Sequence, residues 1–308
     1  MVKNVSGVIP YQMYSSVFYE EEDLKMRKKI VITGTAGMLG PYVVDHFLKE
    51  GYDVLSVDKV MPKELKCRHW TVDLNDLGQV YGMLQGAYGV VHLAAIPRAD
   101  IYPNETTFQN NIMGSYNIME ACGALGIKKV VIASSECAYG LCFAKENLVP
   151  EYVPVDELHP AWAEDPYGMA KVAAEVMAEG FHRRFGTQII NFRIGNILTQ
   201  ELYGQIFPGF INRTDIRRRN LWNYIDARDI ATACQLAIEV EGLGAEVMNL
   251  GADDTCQEIT SAELVKAEFP DLTDIRSDIS GFQPIYCNKK AKEMLGWVPT
   301  RFWRDQLN

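Results

Sequence analysis

Short runs of apolar, often β-branched residues alternate along the chain with longer stretches in which apolar positions return every three to four residues. The first pattern is that of buried strands, the second that of helices with one apolar face. Strands are predicted near 29–33, 53–57, 69–72, 89–93, 129–134, 188–193 and 247–250, and helices near 38–50, 106–125, 166–185, 228–239 and 262–269. Strands and helices in alternation give an α/β fold, a doubly wound parallel sheet with helices on its faces. After Asn196 the alternation thins, Gly and Pro gather at 204–209, and only short helices are expected towards the end. The expected division is therefore an N-terminal extension at 1–27, a sheet domain at 28–195 to which 225–251 returns, and a small C-terminal lobe from 196–224 and 252–308.

The totals narrow the function. A chain of 308 residues can bury a large core, and a formal charge of −10 speaks against nucleic acid or an anionic membrane surface as partner. No run of apolar residues is long enough to span a bilayer. Seven scattered cysteines without a CxxC pair fit free thiols in a reducing, cytoplasmic setting, with no metal site. Residues 1–27 lack the basic and apolar regions of a secretory signal and are expected to be a mobile leader.

The stretch "VITGTAGMLG" puts Gly34, Gly37 and Gly40 between the first strand and the first helix. In that register the first glycine allows a tight turn and the second a close backbone approach to a pyrophosphate. The third lets the helix pack on the strand, with the helix N-terminus facing the anion. Asp58 closes the next strand, where a carboxylate hydrogen-bonds the adenosine ribose hydroxyls and repels a 2′-phosphate. The reading is a dinucleotide site for NAD in preference to NADP, with Ala36, Met38 and Leu39 completing the loop.

"PYGMAK" sets Tyr167 and Lys171 four apart on one helix face. A neighbouring ammonium and a cationic nicotinamide both favour the phenolate, which makes Tyr167 a usable base. Ser135 follows directly on a strand, where the edge of a parallel sheet presents residues to a ligand. Its hydroxyl is placed to bond the substrate oxygen that Tyr167 deprotonates, although serine at such a point also serves as a cap.

Together these residues resemble the extended short-chain dehydrogenase/reductase family, the NAD-dependent epimerase/dehydratase group, over nearly the whole chain from about Lys29 to Trp303. The resemblance rests on TGxxGxxG at 33–40, Asp58, "VDL" with Asp73 and Leu74, and "HLAA" at 92–95. Asn111, SSxxxYG at 134–140, YxxxK and "RIGN" at 193–196 also fit. It implies a Rossmann-type domain with a small substrate lobe, NAD as cofactor, and Ser135, Tyr167 and Lys171 as the catalytic set. Leu93, Ala94, Ala95, Asn111 and Ile194 would join Asp73, Leu74 and Lys171 at the cofactor, while His92 is expected to be a satisfied strand-end residue. It also implies a homodimer packed through the YxxxK helix, whose Ala170, Ala173, Ala174 and Ala178 would permit close approach.

Within that family the sugar dehydratases carry Asp-Glu after the catalytic hydroxyl; here Glu136 and Cys137 stand there, so dehydration is not expected. Cys137 occupies the slot of an acid/base cysteine in keto-sugar epimerases, or is a small core residue. The nucleotide-sugar enzymes hold a diphosphate with the arginine of a motif like RDYIHVxD, and "WNYIDARD" puts Trp222 at that position. Arg219 matches an arginine that binds the substrate carboxylate in uronate dehydrogenases, a short branch that also shares "RIG"; it equally fits a solvated basic run at 217–219. Asn196 and Tyr139 depart from that branch. The expected substrate is thus a free sugar, sugar acid or small polyol, contacted by Ser135, Glu136, Cys137, Asn196, Arg219 and Trp222. The alternatives are a nucleotide-sugar epimerase and an NAD-sensing regulator, the last disfavoured by an intact catalytic set.

Overall fold

The computed structural model describes residues 27–307, so the expected extension, Arg27 apart, lies outside the described residues. Its strands are β1 (Lys29–Thr33), β2 (Asp53–Asp58), β3 (Arg68–Thr71), β4 (Gly89–His92), β5 (Lys129–Ser135), β6 (Gln188–Ile194), the short pair β7 (Ile197–Leu198) and β8 (Ile225–Asp226), and β9 (Ala245–Leu250). Seven of them form one parallel sheet in the order β3-β2-β1-β4-β5-β6-β9. The helices are α1 (Gly40–Lys49), α2 (Leu77–Leu84), α3 (Asn104–Leu125), α4 (Pro166–Phe185), α5 (Gln200–Gln205), α6 (Thr214–Arg217), α7 (Ala227–Glu239), α8 (Ser261–Glu268), α9 (Lys289–Leu295) and α10 (Trp303–Gln306).

Period-two alternation on the buried strands splits the apolar residues between two faces. Ile30 and Ile32 pack with Val43 and Phe47 of α1 and Ile230 and Ala237 of α7. Val31 turns the other way, onto Met83 of α2, Ile118 of α3 and Phe181 of α4. Both faces are therefore covered, as a parallel sheet requires. A third apolar cluster, including Tyr203, Phe207, Trp222, Tyr224, Phe269 and Trp303, joins the segments after β6, through α10, to residues between β5 and α4 such as Tyr139 and Val153.

The order reverses between β1 and β4, and the loops leaving the C-terminal ends of those strands open a crevice where ligands bind in sheets of this kind. Of the four alanines expected at a dimer contact on α4, Ala173 is half-buried. Ala170, Ala174 and Ala178 are buried within the chain, while Met169 and Val176 point outward.

Candidate active site

At the crevice the glycine loop follows β1. Gly34 has φ +75°, and a Cβ there would lie 2.5 Å from the backbone nitrogen of Ala94; one on Gly40 would lie 2.4 Å from Cα of Thr35. Both positions are closed to any side chain by the protein's own backbone. A Cβ on Gly37 would meet only the Gly34 carbonyl oxygen, at 3.3 Å, so the surface above Gly37 is free for a ligand. Among the described residues nothing accepts a hydrogen bond from the N–H groups of Met38 and Leu39, which precede the N-terminus of α1. The loop is thus a backbone cradle suited to a pyrophosphate. Asp58, at the end of β2, accepts from the Ala36 N–H at 2.9 Å and the Val60 N–H at 3.3 Å, which fixes its carboxylate at the rim of the loop.

The far wall is the segment after β4. Leu93 N–H donates to the Thr33 carbonyl and Ala94 N–H to Thr33 Oγ1. Asn111 donates to the Ile96 carbonyl at 3.0 Å and accepts from the Ile96 N–H at 2.8 Å, so its amide clamps the loop that carries Ala94 and Ala95. His92 is buried between Thr33 Oγ1 and Ser115 Oγ. Burial, with the Lys171 charge adding to it, pushes its pKa down to about 3, so it is a neutral strand-end residue. Asp73 is exposed and paired with Lys59 at 3.1 Å, and Leu74 is buried beside it. Ile194 is buried at the end of β6.

Ser135 ends β5 and accepts from the Cys137 N–H at 3.2 Å, capping the short turn at Glu136–Tyr139. Capping and a catalytic hydroxyl coexist, because the hydroxyl proton remains free to donate. Tyr167 stands in the first turn of α4, begun by Pro166 and capped by Asp165, whose Oδ1 accepts from the N–H groups of Tyr167 and Gly168 at 3.0 and 2.9 Å. Sequence reading passed over Asp165, although Asp before Pro at a helix start is a capping signature. Lys171 follows one turn later, its Nζ 5.4 Å from the centre of the Tyr167 ring and donating to the Ala133 carbonyl at 2.6 Å. Burial lowers Lys171 to about 8.

The phenolate expected from sequence is not favoured by the protein alone. Burial raises the Tyr167 pKa, Cys137, Cys142 and Glu136 push the same way, and the hydrogen bond with Ser135 opposes them. Glu175, one turn after Lys171, accepts from Ser134 Oγ and from Arg193 Nε and Nη2 in a buried ion pair of 2.7 Å. This pair ties α4 to β5 and β6.

Directly after Ser135, Glu136 is buried, its two oxygens accepting from the side-chain amides of Asn220 and Asn223. Burial pushes its pKa up to about 7, with Arg217, Asn220 and Asn223 acting against the shift. Cys137 is buried and neighbours Tyr167, Lys171 and Cys142. Asn196 turns the chain after β6, its carbonyl accepting from the Ile225 N–H. Two residues expected at the substrate are engaged by the chain's own groups. Trp222 is fully buried in the third core, against Phe269, with Nε1 donating to the Thr214 carbonyl. The Arg219 guanidinium bonds the Ala144 carbonyl and Asn147 Oδ1. Arg217, Asn220 and Asn223 were not singled out by sequence reading; the basic run was their one signal. Among the described residues no His, Cys, Asp or Glu cluster is fit to hold a metal ion, and no helix is long and apolar enough to cross a membrane.

The chain is similar to several known proteins. The uronate dehydrogenase of Agrobacterium fabrum is 31% identical over 172 residues, covering 55% of this chain and 61% of that protein. The UDP-glucose 4-epimerase of Lacticaseibacillus casei is 25% identical over 323 residues, covering 88% and 91%. A short-chain dehydrogenase/reductase superfamily protein from Agrobacterium tumefaciens, crystallised with bound NAD, shares the fold with a TM-score of 0.70, 22% identity and coverage of 91% and 94%. A family profile described as "NAD dependent epimerase/dehydratase family" matches residues 30–251. The chain belongs to that family and is an NAD-dependent enzyme of the short-chain dehydrogenase/reductase type.

Proposed function

We propose that the chain oxidises a secondary or hemiacetal hydroxyl of a free sugar, sugar acid or small polyol. Residues 196–224 and 252–308 would form the substrate lobe, and Gly34–Gly40 and Asp58 would hold NAD, which when bound supplies the hydride acceptor. Tyr167 takes the hydroxyl proton through its phenol oxygen, Ser135 donates to the same substrate oxygen, and Lys171 lends its positive charge one helical turn away. A buried tyrosine works as a base only once a cation offsets its desolvation, so proton removal is coupled to cofactor binding.

The observation that carries the choice of a free sugar is the fate of the basic positions after α5. Trp222 is sealed in the core, Arg218 and Arg219 bond protein acceptors and Arg228 is paired with Asp226, so these four positions offer no free pair of guanidiniums for a diphosphate. The second reading is a nucleotide-sugar epimerase, favoured by the near full-length match to UDP-glucose 4-epimerases. A panel of free sugars, uronates and nucleotide sugars, followed by absorbance of NADH, separates them. Net NADH from a free sugar or sugar acid supports the dehydrogenase; product from a UDP-sugar without net NADH overturns it for the epimerase.

A further inference from the structure

Strand β2 runs through Val54, Leu55, Ser56 and Val57, and Ser56 interrupts an otherwise apolar stretch. Alternation puts Ser56 on the face of Val54, toward α1, while Leu55 and Val57 pack on the other side. Ser56 is 4% exposed, so its hydroxyl needs partners within the chain. It has two. Opposite it in the parallel register with β3 stands His69, whose Nδ1 lies 2.9 Å from Ser56 Oγ. On its other side is Thr35 Oγ1 of the glycine loop, at 2.7 Å, which also reaches the Val57 carbonyl at 3.3 Å.

Four groups thus stand in a row: an imidazole, two hydroxyls and a carbonyl that can only accept. Each hydroxyl has one proton to give. With the imidazole proton on Nδ1, His69 donates to Ser56, Ser56 to Thr35 and Thr35 to Val57, and all three contacts are hydrogen bonds. With the proton on Nε2, Ser56 donates to Nδ1 and Thr35 to Ser56, and the Val57 contact is idle. Among the described residues nothing bonds Nε2, which is buried, so a proton there would be an orphaned donor. An imidazolium would carry the same orphan with a charge; burial lowers the His69 pKa, and Asp58 acts against the shift. The row therefore selects a neutral ring with its proton on Nδ1.

The row ends where the glycine loop meets β2. The Val57 carbonyl also accepts from the Thr35 N–H at 3.3 Å, and the next loop residue, Ala36, donates its N–H to Asp58 at 2.9 Å. Thr35 and Ala36 are tied in succession to Val57 and Asp58, and the last bond of the row is one of these ties. We propose that His69 is a positioning residue for NAD, holding the glycine loop against the end of β2 through Ser56 and Thr35. This rests on the placement of NAD at Gly34–Gly40 and Asp58. His69 acts through the row, without touching the cofactor.

The test reads the proton and the cofactor separately. In protein carrying isotope-labelled histidine, long-range proton–nitrogen NMR spectra near neutral pH report which ring nitrogen of each of the five histidines is protonated; the signal missing from His69→Asn is that of His69. A protonated Nδ1 beside a bare Nε2 is expected, and a proton on Nε2, alone or together with Nδ1, overturns the inference. Calorimetric titration of NAD then compares variants. His69→Leu and Ser56→Ala should each weaken binding about fivefold, and the double variant should be no weaker than Ser56→Ala, since both break one row. His69→Asn should stay within about twofold of wild type, because its amide nitrogen is as many bonds from the backbone as Nδ1 and donates to the same hydroxyl. Unchanged NAD affinity in His69→Leu, additive losses in the double variant, or a His69→Asn as weak as His69→Leu each overturn the inference. Asp58→Ala separates it from the reading beneath it. If Asp58→Ala weakens NAD and His69→Leu does not, the role of His69 alone falls; if neither does, the placement of NAD falls with it. Should His69→Leu not fold, the spectrum and the NAD affinity of Ser56→Ala decide, and unchanged affinity there overturns the inference.

Discussion

Each residue at the crevice has a job that its immediate partners define. Removing the Tyr167 hydroxyl leaves the ring and its packing, so Tyr167→Phe should bind NAD normally and lose at least about a hundredfold in turnover. Initial rates and an NAD titration measured together check this. Asp58, held by the Ala36 and Val60 N–H groups, should set the choice of cofactor; Asp58→Ala should weaken NAD and narrow its advantage over NADP in paired titrations. Glu136 gives a pH signature. Its ordinary pKa of 4.5 is raised to about 7, so across that window the native protein keeps a proton that the unfolded chain has released. Ionisation therefore draws stability down as pH rises through 4.5 to 7. Glu136→Gln cannot ionise, and Asn223, whose Oδ1 is buried without a partner, can turn its amide over to accept from the new side chain. The variant should melt above wild type at pH 8, and the gap should close near pH 5.

At the scale of elements, capping decides where the catalytic hydroxyl stands. Asp165→Ala removes the acceptor for two N–H groups of α4 and should cost about 1 kcal/mol. Because Tyr167 is in that same turn, turnover should fall further than stability alone explains; melting curves beside kcat show whether the two separate. The strands of the sheet were legible to within about two residues, since a buried strand must be apolar on both faces. The helix α2 was not, because Gly78 and Gly82 hide its period, and Asp76, which accepts from the Gln79 N–H, is what starts it. Residues 200–220 were equally opaque. Bonds to distant carbonyls, such as Gln257 to Phe210 and Arg218 to Leu148, hold that segment, and no local pattern encodes them. The same limit hides where each guanidinium of the run 217–219 points. Successive residues in a tight helical turn point about 100–120° apart, and the sequence does not give the phase. The places of Ser135 at a strand end and of Tyr167 and Lys171 one helical turn apart were legible, because strand end and helix spacing fix them.

For the molecule as a whole, the outward faces of α3 and α4 carry Phe108, Met113, Tyr116, Met169 and Val176, an apolar surface on two neighbouring helices. A two-fold dimer that buries this face is expected. Ala170, Ala174 and Ala178 of α4 are buried inside the chain, so the larger exposed side chains would make most of the contact. Light scattering at micromolar concentration should give twice the chain mass, and Val176→Glu should shift it to the monomer.

The sheet edge carries one more implication. Strands β6 and β9 lie side by side from Ile189 opposite Ala245 to Ile194 opposite Leu250, and everything between them leaves the sheet and comes back. That excursion holds Arg217, Asn220, Trp222 and Asn223. Closing a loop costs entropy only as the logarithm of its length, about 0.6 kcal/mol for each doubling. Insertions or exchanges between β7 and β8 thus leave the pairing at the edge almost untouched. Across evolution, a chain built this way can exchange that whole segment and still inherit the same sheet and glycine loop.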